Sequence, residues 1–240
     1  MAVAAAAQCR CVPPDPCWAA VPWSDLNASV FGRLHKSVDE LASCISSLGG
    51  NIKSAACDAA LNSTDDEFWL TARPNGYLHT GLFNEWNISN DLSEYSVLAE
   101  TEADFQATVR FALDHNLRLV VKNTGHDWYG RSTAAGSLLL WTHLRNETVW
   151  HDSFVAEGCD AASAVPAVTV GPGVPFNDLY PNAHAHGQVV MGGGCHSVGL
   201  ARRWMAGCFG PFTKRFGSGA VNILQVRDPP AISISASAAG

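Results

Sequence analysis

One segment concentrates residues able to do chemistry: Val121, Lys122, Asn123, Thr124, Gly125, His126, Asp127, Trp128, Tyr129, Gly130, Arg131, Ser132 and Thr133. It continues an apolar, strand-like run at residues 117–121. A glycine-flanked turn in that place brings backbone N–H groups up to a phosphate and holds the imidazole of His126 at a fixed point beside a cofactor ring. The plainer alternative is a loop histidine that caps backbone groups, and the neighbouring blocks decide between the two. The most telling is Gly192, Gly193, Gly194 and Cys195. Oriented backbone N–H groups of a glycine turn favour the thiolate of Cys195. For this cysteine the alternatives are a buried thiol and a disulfide to Cys159 or Cys208.

Other chemistries fit less well. A metal site made of His184, His186, Cys195 and His196 is not expected. Two residues along a helix is a rotation of about 200°, so His184 and His186 would not share an ion. Cys195 and His196 are adjacent in sequence and would not face each other as a nucleophile pair. The chain contains neither a Gly-x-Ser-x-Gly elbow nor a P-loop.

The elements that must position these residues follow from hydrophobic period and end signals. Residues 95–99 are strand-like. Thr101 is placed as an N-cap, with Glu102 and Asp104 putting negative charge in the first helical turn. Phe105, Val109, Ala112 and Leu113 recur at helical spacing up to His115. Asn116 ends the helix and residues 117–121 form the next strand, giving a strand–helix–strand unit with a right-handed crossover. Further strands are expected at residues 137–142, 148–156 and 167–170. Pro175 suits the first turn of a helix that runs through Asn177, Leu179 and Ala183 to His186 and stops at Gly187. A strand at 188–191 completes a second, loosely similar unit. Residues 1–90 form a Cys-rich, irregular segment with one helix at 38–47, whose face holds Leu41, Cys44 and Ile45. Residues 91–226 form the folded domain. Residues 227–240, rich in Pro, Ser and Ala from Asp228 onward, are expected to be a disordered tail.

Composition bounds the rest. With 240 residues and 47% apolar content, a sizeable core is available. A net charge of −7 argues against nucleic acid, which needs a basic footprint. No apolar run approaches the roughly 18–20 residues of a membrane span. Of eight cysteines, five (Cys9, Cys11, Cys17, Cys44 and Cys57) lie in the first quarter of the chain, the pattern of a disulfide-stapled segment. Four glycosylation sequons begin at Asn27, Asn62, Asn87 and Asn146. Together they favour a secreted, extracellular protein, although residues 1–7 are too short for a complete signal peptide. A monomer is expected.

The ordered blocks resemble the flavin-binding half of the p-cresol methylhydroxylase/vanillyl-alcohol oxidase superfamily, and within it the fungal berberine-bridge-enzyme-like, isoamyl-alcohol-oxidase-like branch. The resemblance rests on Lys122 to Ser132 as quoted above, on Leu138, Leu139, Leu140, Trp141, Thr142 and His143, on Val170, Gly171, Pro172 and Gly173, and on Gly194, Cys195, His196, Ser197, Val198 and Gly199. Cys9, Arg10, Cys11, Asp15, Pro16, Cys17 and Trp18, with Trp23 to Asn27, are similar to secreted fungal members. It spans about residues 9 to 226.

The resemblance implies an α+β fold, a PCMH-type FAD-binding domain of two α/β subdomains behind the irregular N-terminal segment. It implies FAD attached covalently through His126, whose neutral imidazole attacks the 8α position, and in some members also through Cys195. Thr124, Gly125, Asp127, Trp128, Tyr129 and Gly130 would surround the pyrophosphate. Val198, Gly199, Gly207 and Gly210 would line the second wall, and Asn222 would precede the closing strand. The implied reaction is oxidation of an alcohol, sugar or alkaloid-like small molecule, with oxygen accepting the electrons as hydrogen peroxide.

Two departures temper this. The family's usual Val-Gly-x-Ala-Gly-Gly run is here Val198, Gly199, Leu200, Ala201, Arg202 and Arg203, and the later glycine run is broken by Cys208 and Phe209. Glycine positions that serve positive φ or close approach tolerate Arg poorly, so altered flavin affinity is expected. The family also carries a substrate domain with the catalytic base, whereas residues after Val226 turn to Arg227, Asp228, Pro229 and Pro230. A truncated chain lacking that domain is expected, which leaves the catalytic residues unassigned. A vestigial secreted flavin-binding protein without turnover is the competing reading.

Overall fold

The computed structural model describes residues 9–38, 54–64, 66–77, 92–227, 231–235 and 237–238. The helix expected at residues 38–47 and the sequon at Asn87 lie outside the described residues, apart from Val38. Chain order begins with α1 (Pro16–Ala19), α2 (Trp23–Ser29), β1 (Leu34–Lys36), α3 (Ala55–Thr64) and α4 (Glu67–Thr71). Then follow β2 (Tyr95–Leu98), α5 (Glu102–Asp114), β3 (Arg118–Lys122) and β4 (Ser137–Trp141). The second half holds β5 (Thr148–Phe154), β6 (Val165–Val170), α6 (Phe176–Ala185), β7 (Gln188–Val189), α7 (Leu200–Met205) and α8 (Thr213–Phe216). It ends in β8 (Ile223–Arg227), β9 (Ala231–Ser235) and β10 (Ser237–Ala238).

The first sheet has the order β1-β2-β4-β3, with β2 and β3 both parallel to β4 and β1 antiparallel at the edge. Every residue of β4 is buried, as expected of a central strand covered on both faces. Leu138 and Leu139 are fully buried, and truncating either to Ala would cost about 2–5 kcal/mol. The strand–helix–strand unit β2-α5-β3 forms as the sequence predicts, with β4 inserted between its two strands.

Helix α5 starts in a full capping box between Thr101 and Asp104, which satisfies two of the orphan N–H donors at its start. Its buried face differs from the expected one. Phe105 and Ala112 are buried, but Val109 and Leu113 are exposed, and Asp104 and Thr108 are fully buried instead. The Arg33 guanidinium draws Asp104 inward with two hydrogen bonds of 2.7 and 2.9 Å. Burial pushes the Asp104 carboxyl up, yet the bonds from Arg33 and from the N–H groups of Thr101 and Glu100 outweigh it and hold the group below its usual range.

Among the described residues, parts of the N-terminal segment share the core of the folded domain. Strand β1 pairs with β2, Cys11 bridges to Leu117, and Leu26 and Val30 are fully buried in the same core as Leu138 and Leu140. A three-residue edge strand is too short to leave a period in the sequence. Cys11 and Cys17 form a disulfide and Cys57 is also disulfide-bonded, while Cys9, Cys159, Cys195 and Cys208 are free thiols.

The second sheet, β5-β6-β9-β8, is antiparallel throughout. It corrects the expectation of a disordered tail, because β9 lies in the sheet interior between β6 and β8. The segment Ala231, Ile232, Ser233, Ile234 and Ser235 alternates apolar and small polar residues with the period of a strand. Its low charge and small side chains hide that alternation when composition alone is weighed. The second strand–helix–strand unit is also altered: among the described residues β7 pairs with β10 and with neither large sheet. Helix α6 begins after Pro175 and ends at His186 and Gly187 as expected, and its buried Phe176 and Leu179 pack on Val168, Val170, Leu200 and Trp204.

Candidate functional site

The two halves meet where the loop after β3 faces the loop after β7. The first loop is anchored at its root. Lys122 is fully buried and donates to the carbonyls of Arg73 at 2.6 Å and Pro74 at 2.9 Å. Its amine lies over the rings of Tyr77 and Trp141. Burial holds the Lys122 pKa well below its ordinary value and pushes the Tyr77 hydroxyl up to about 12. Burial and the nearby Lys122 charge likewise lower the His143 pKa. Trp141 Nε1 donates to the Asn123 carbonyl at 2.8 Å, and the Asn123 amide reaches the Pro172 carbonyl in the other half. The Thr124 hydroxyl accepts from the Gly199 N–H at 3.1 Å, joining the two loops.

At the turn itself, Gly125 has φ +85°, and a Cβ there would lie 2.8 Å from the Gly76 carbonyl oxygen. Only glycine combines that conformation with so close an approach. Gly130 also takes positive φ. Asp127 closes the loop by accepting from the Arg131 N–H at 2.7 Å and from its guanidinium. Trp128 and Tyr129 are exposed.

His126 lies at the centre. Its Nε2 is 2.7 Å from Ser197 Oγ, and Ser197 Oγ donates to Glu67 Oε2 at 2.9 Å. A hydroxyl has one hydrogen and a carboxylate only accepts. Ser197 therefore receives from an Nε2–H. Cys195 Sγ is 3.8 Å from Glu67 Oε2 and 3.9 Å from Ser197 Oγ. Ligand atoms of Glu67, His126 and Cys195 all fall within 4.8 Å of one another.

Residues 71 positions apart in the chain are thus brought to one point. The sequence singled out His126 and Cys195, but it did not mark Glu67 and gave Ser197 no role. The signal for Glu67 is local: the Asp66 carboxylate caps α4 by accepting from the N–H groups of Phe68 and Trp69, which sets Glu67 in the first turn.

The second wall is built differently. Gly192 abuts the ring of Phe176 and the hydroxyl of Tyr180, and a Cβ on Gly210 would sit 2.0 Å from the Gly192 carbonyl oxygen. Trp204 Nε1 donates to the Met191 carbonyl at 3.0 Å. Val198 and Gly199 lie at the interface, where the Phe176 N–H donates to the Val198 carbonyl and Gly199 bridges to Pro175. Asn222 binds the carbonyls of Phe216 and Ser218 and directly precedes β8.

The backbone at Arg202 and Arg203 does not require glycine. Both lie in the helical turn of α7, whose backbone any residue but proline accepts, and the Arg203 guanidinium stacks over Phe209 and donates to its carbonyl. The unusual backbone is further on, at Gly207 with φ +99° and at the buried Cys208 with φ +42°. Among the described residues, Cys195 groups with Glu67 and His126 rather than with His184, His186 or His196. His184 and His196 are exposed, and His186 stacks on Trp150. Beside that stack is a separate concavity of about 100 Å³ on β5 and β6.

Comparison with known proteins shows the family. Residues 93–227 match the family model described as an FAD binding domain. The chain is 34% identical, over 233 residues, to an uncharacterized FAD-linked oxidoreductase of Arthroderma benhamiae, covering 90% of this chain and 41% of that protein. It is 32% identical to FAD-linked oxidoreductase patO of Aspergillus clavatus, covering 92% of this chain and 39% of that protein. A solved VAO-type flavoprotein of Myceliophthora thermophila superposes with a TM-score of 0.84 at 25% identity, covering 96% of this chain and 50% of that one. The chain spans about 40% of the length of these curated relatives. On fold, matched residues and the paired loops around His126, the chain belongs to the FAD binding domain family of FAD-linked oxidoreductases.

Proposed function

We propose that this chain is the flavin-binding portion of a berberine-bridge-enzyme-like oxidase, holding FAD covalently through His126 and also through Cys195. The observation that carries the reading is the approach of these two side chains from opposite halves of the fold, within 4.8 Å. The residues present fit a flavin. Asn123 Oδ1 is a buried oxygen without a hydrogen-bond partner beside Gly199, and a Cβ on Gly130 or Gly194 would meet open space.

Bound FAD supplies hydride acceptance and electron transfer to oxygen. The protein's part is position. The Glu67–Ser197 pair holds the His126 ring through Nε2, so Nδ1 would be the nitrogen that attaches. Lys122 fixes the root of the loop. Thr124 and Gly199 keep the walls in register. The donor is an alcohol, sugar or alkaloid-like small molecule, and the base that activates it belongs to a substrate domain of the kind the relatives' greater length provides. A flavin-binding protein without turnover is the second reading.

The same reading includes a secreted glycoprotein acting as a monomer. Asn27, Asn62 and Asn146 are all exposed, and the Cys11–Cys17 disulfide suits an oxidising compartment. A mass decrease on endoglycosidase treatment of the secreted chain checks this part.

The main test is acid precipitation of the expressed chain. Yellow colour remaining in the pellet is expected, reduced in His126→Ala and in Cys195→Ala singly and lost when both are changed. A colourless pellet from the unaltered chain would sink covalent attachment. Colour without peroxide production across alcohols and sugars would favour the second reading.

A further inference from the structure

Glu67, His126 and Cys195 present one oxygen, one nitrogen and one sulfur donor within 4.8 Å of each other. They come from three separate elements: the first turn of α4, the loop after β3 and the loop after β7. We infer that the chain, when flavin is not joined to His126 and Cys195, binds one zinc ion through these three side chains.

The donor set selects the metal. Calcium and magnesium require six or more oxygen ligands, whereas a mixed N/O/S set suits a borderline-soft ion. Zinc bonds of roughly 2.0–2.3 Å would draw the donors together by about 1 Å, within the reach of side-chain rotation. Three protein ligands leave the fourth tetrahedral position to water, the arrangement of an open zinc site.

The surroundings are built for it. Ser197 Oγ, 2.9 Å from Glu67 Oε2, gives a ligating carboxylate the outer hydrogen bond that orients it. Lys122 ties residues 73 and 74 to the His126 loop, so the segment carrying α4 is held against that loop before any ion arrives. Cys195 is exposed, which gives the ion a way in. Zinc and a covalently attached flavin would draw on the same imidazole and thiolate, so the two exclude one another, and bound zinc would delay flavin attachment.

Cobalt(II), a spectroscopic stand-in for zinc, tests this on the 240-residue chain prepared without flavin. A thiolate-to-cobalt absorption band and tetrahedral ligand-field bands are expected at one equivalent, both erased by zinc. Cys195→Ser should abolish the thiolate band. Glu67→Gln, which preserves shape, should weaken zinc binding on the order of 10- to 100-fold, and Ser197→Ala by a smaller factor in the same direction. Circular dichroism of each variant separates lost ligation from lost fold. Absence of the thiolate band, or a band that survives Cys195→Ser in a folded chain, overturns the site. Incubation with FAD then reads the two proposals apart. A chain that binds cobalt but never becomes yellow keeps the metal site and loses the flavin reading, while a chain that becomes yellow without binding cobalt does the reverse.

Discussion

The loop at residues 123–131 and the loop at residues 190–199 meet at His126 and Ser197, but they are held by different means. The first is fixed by polar groups taken out of water: the Lys122 amine on two carbonyls, the Trp141 indole on Asn123 and the Thr124 hydroxyl on Gly199. The second is fixed by shape. Gly192 and Gly210 let aromatic rings and a carbonyl approach closer than any Cβ would allow, and its tip at residues 194–196 is exposed. Buried hydrogen bonds are directional and hold a side chain at a set angle. Close packing holds a backbone but leaves the tip to adjust. The first loop therefore carries the group whose orientation matters most, the imidazole, and the second presents a thiol that has only to come within reach.

Lys122→Met should do the largest damage. It leaves the carbonyls of Arg73 and Pro74 without their donor, at a cost of about 3 kcal/mol read by urea denaturation. The same variant sharpens the point through pH. The folded pKa of Lys122 lies well below 10.5, so between that lowered value and about 10.5 the unfolded chain binds the extra proton. Stability of the unaltered chain should rise with pH through this window and be complete above it, and the rise should vanish in Lys122→Met. A pH profile identical in the two proteins would break the assignment of a buried amine.

Gly192→Ala should come next. Its Cβ would lie 2.2 Å from the Tyr180 hydroxyl, and overpacking of this kind costs about 1–3 kcal/mol. The contrast predicts that it lowers the melting temperature and displaces Cys195 more than His126, so the cysteinyl bond to flavin should suffer first. Thr124→Val removes the acceptor for the buried Gly199 N–H, and a loss of about 1–2 kcal/mol is expected, with both flavin bonds slowed together. The smallest effect belongs to Arg131→Gln. The Arg131 guanidinium is exposed, whereas the Asp127 side chain is only 5% exposed; the carboxylate keeps the Arg131 N–H as a donor, so a drop in melting temperature smaller than that of Thr124→Val is expected.

Much of the fold was legible because it is locally encoded. Thr101 and Asp104 announce the start of α5, and Pro175 and Gly187 bracket α6 within one residue. The misjudged parts depend on distant partners. Val109 and Leu113 looked like core by spacing, but Arg33, 71 residues upstream of Asp104, turns the helix so that they face solvent. Strand β9 looked like a tail because its five residues have no local requirement to be extended until β6 and β8 flank it. A glycine-rich run suggests positive φ at Arg202 and Arg203, whereas the chain there is helical and the positive φ falls at Gly207 and Cys208.

At the site, the amino-acid sequence by itself determined which groups are available: a histidine in a turn only glycine can make, and a cysteine after three glycines. Both depend on short-range sterics and side-chain chemistry, which sequence carries completely. That His126 shares a hydrogen-bonded chain with Ser197 and Glu67, with Cys195 beside it, was decided only by the tertiary structure. Glu67 lies 130 residues from Ser197 along the chain. Nothing local draws them together, and their meeting depends on the packing of α4 and the two loops around the buried Lys122.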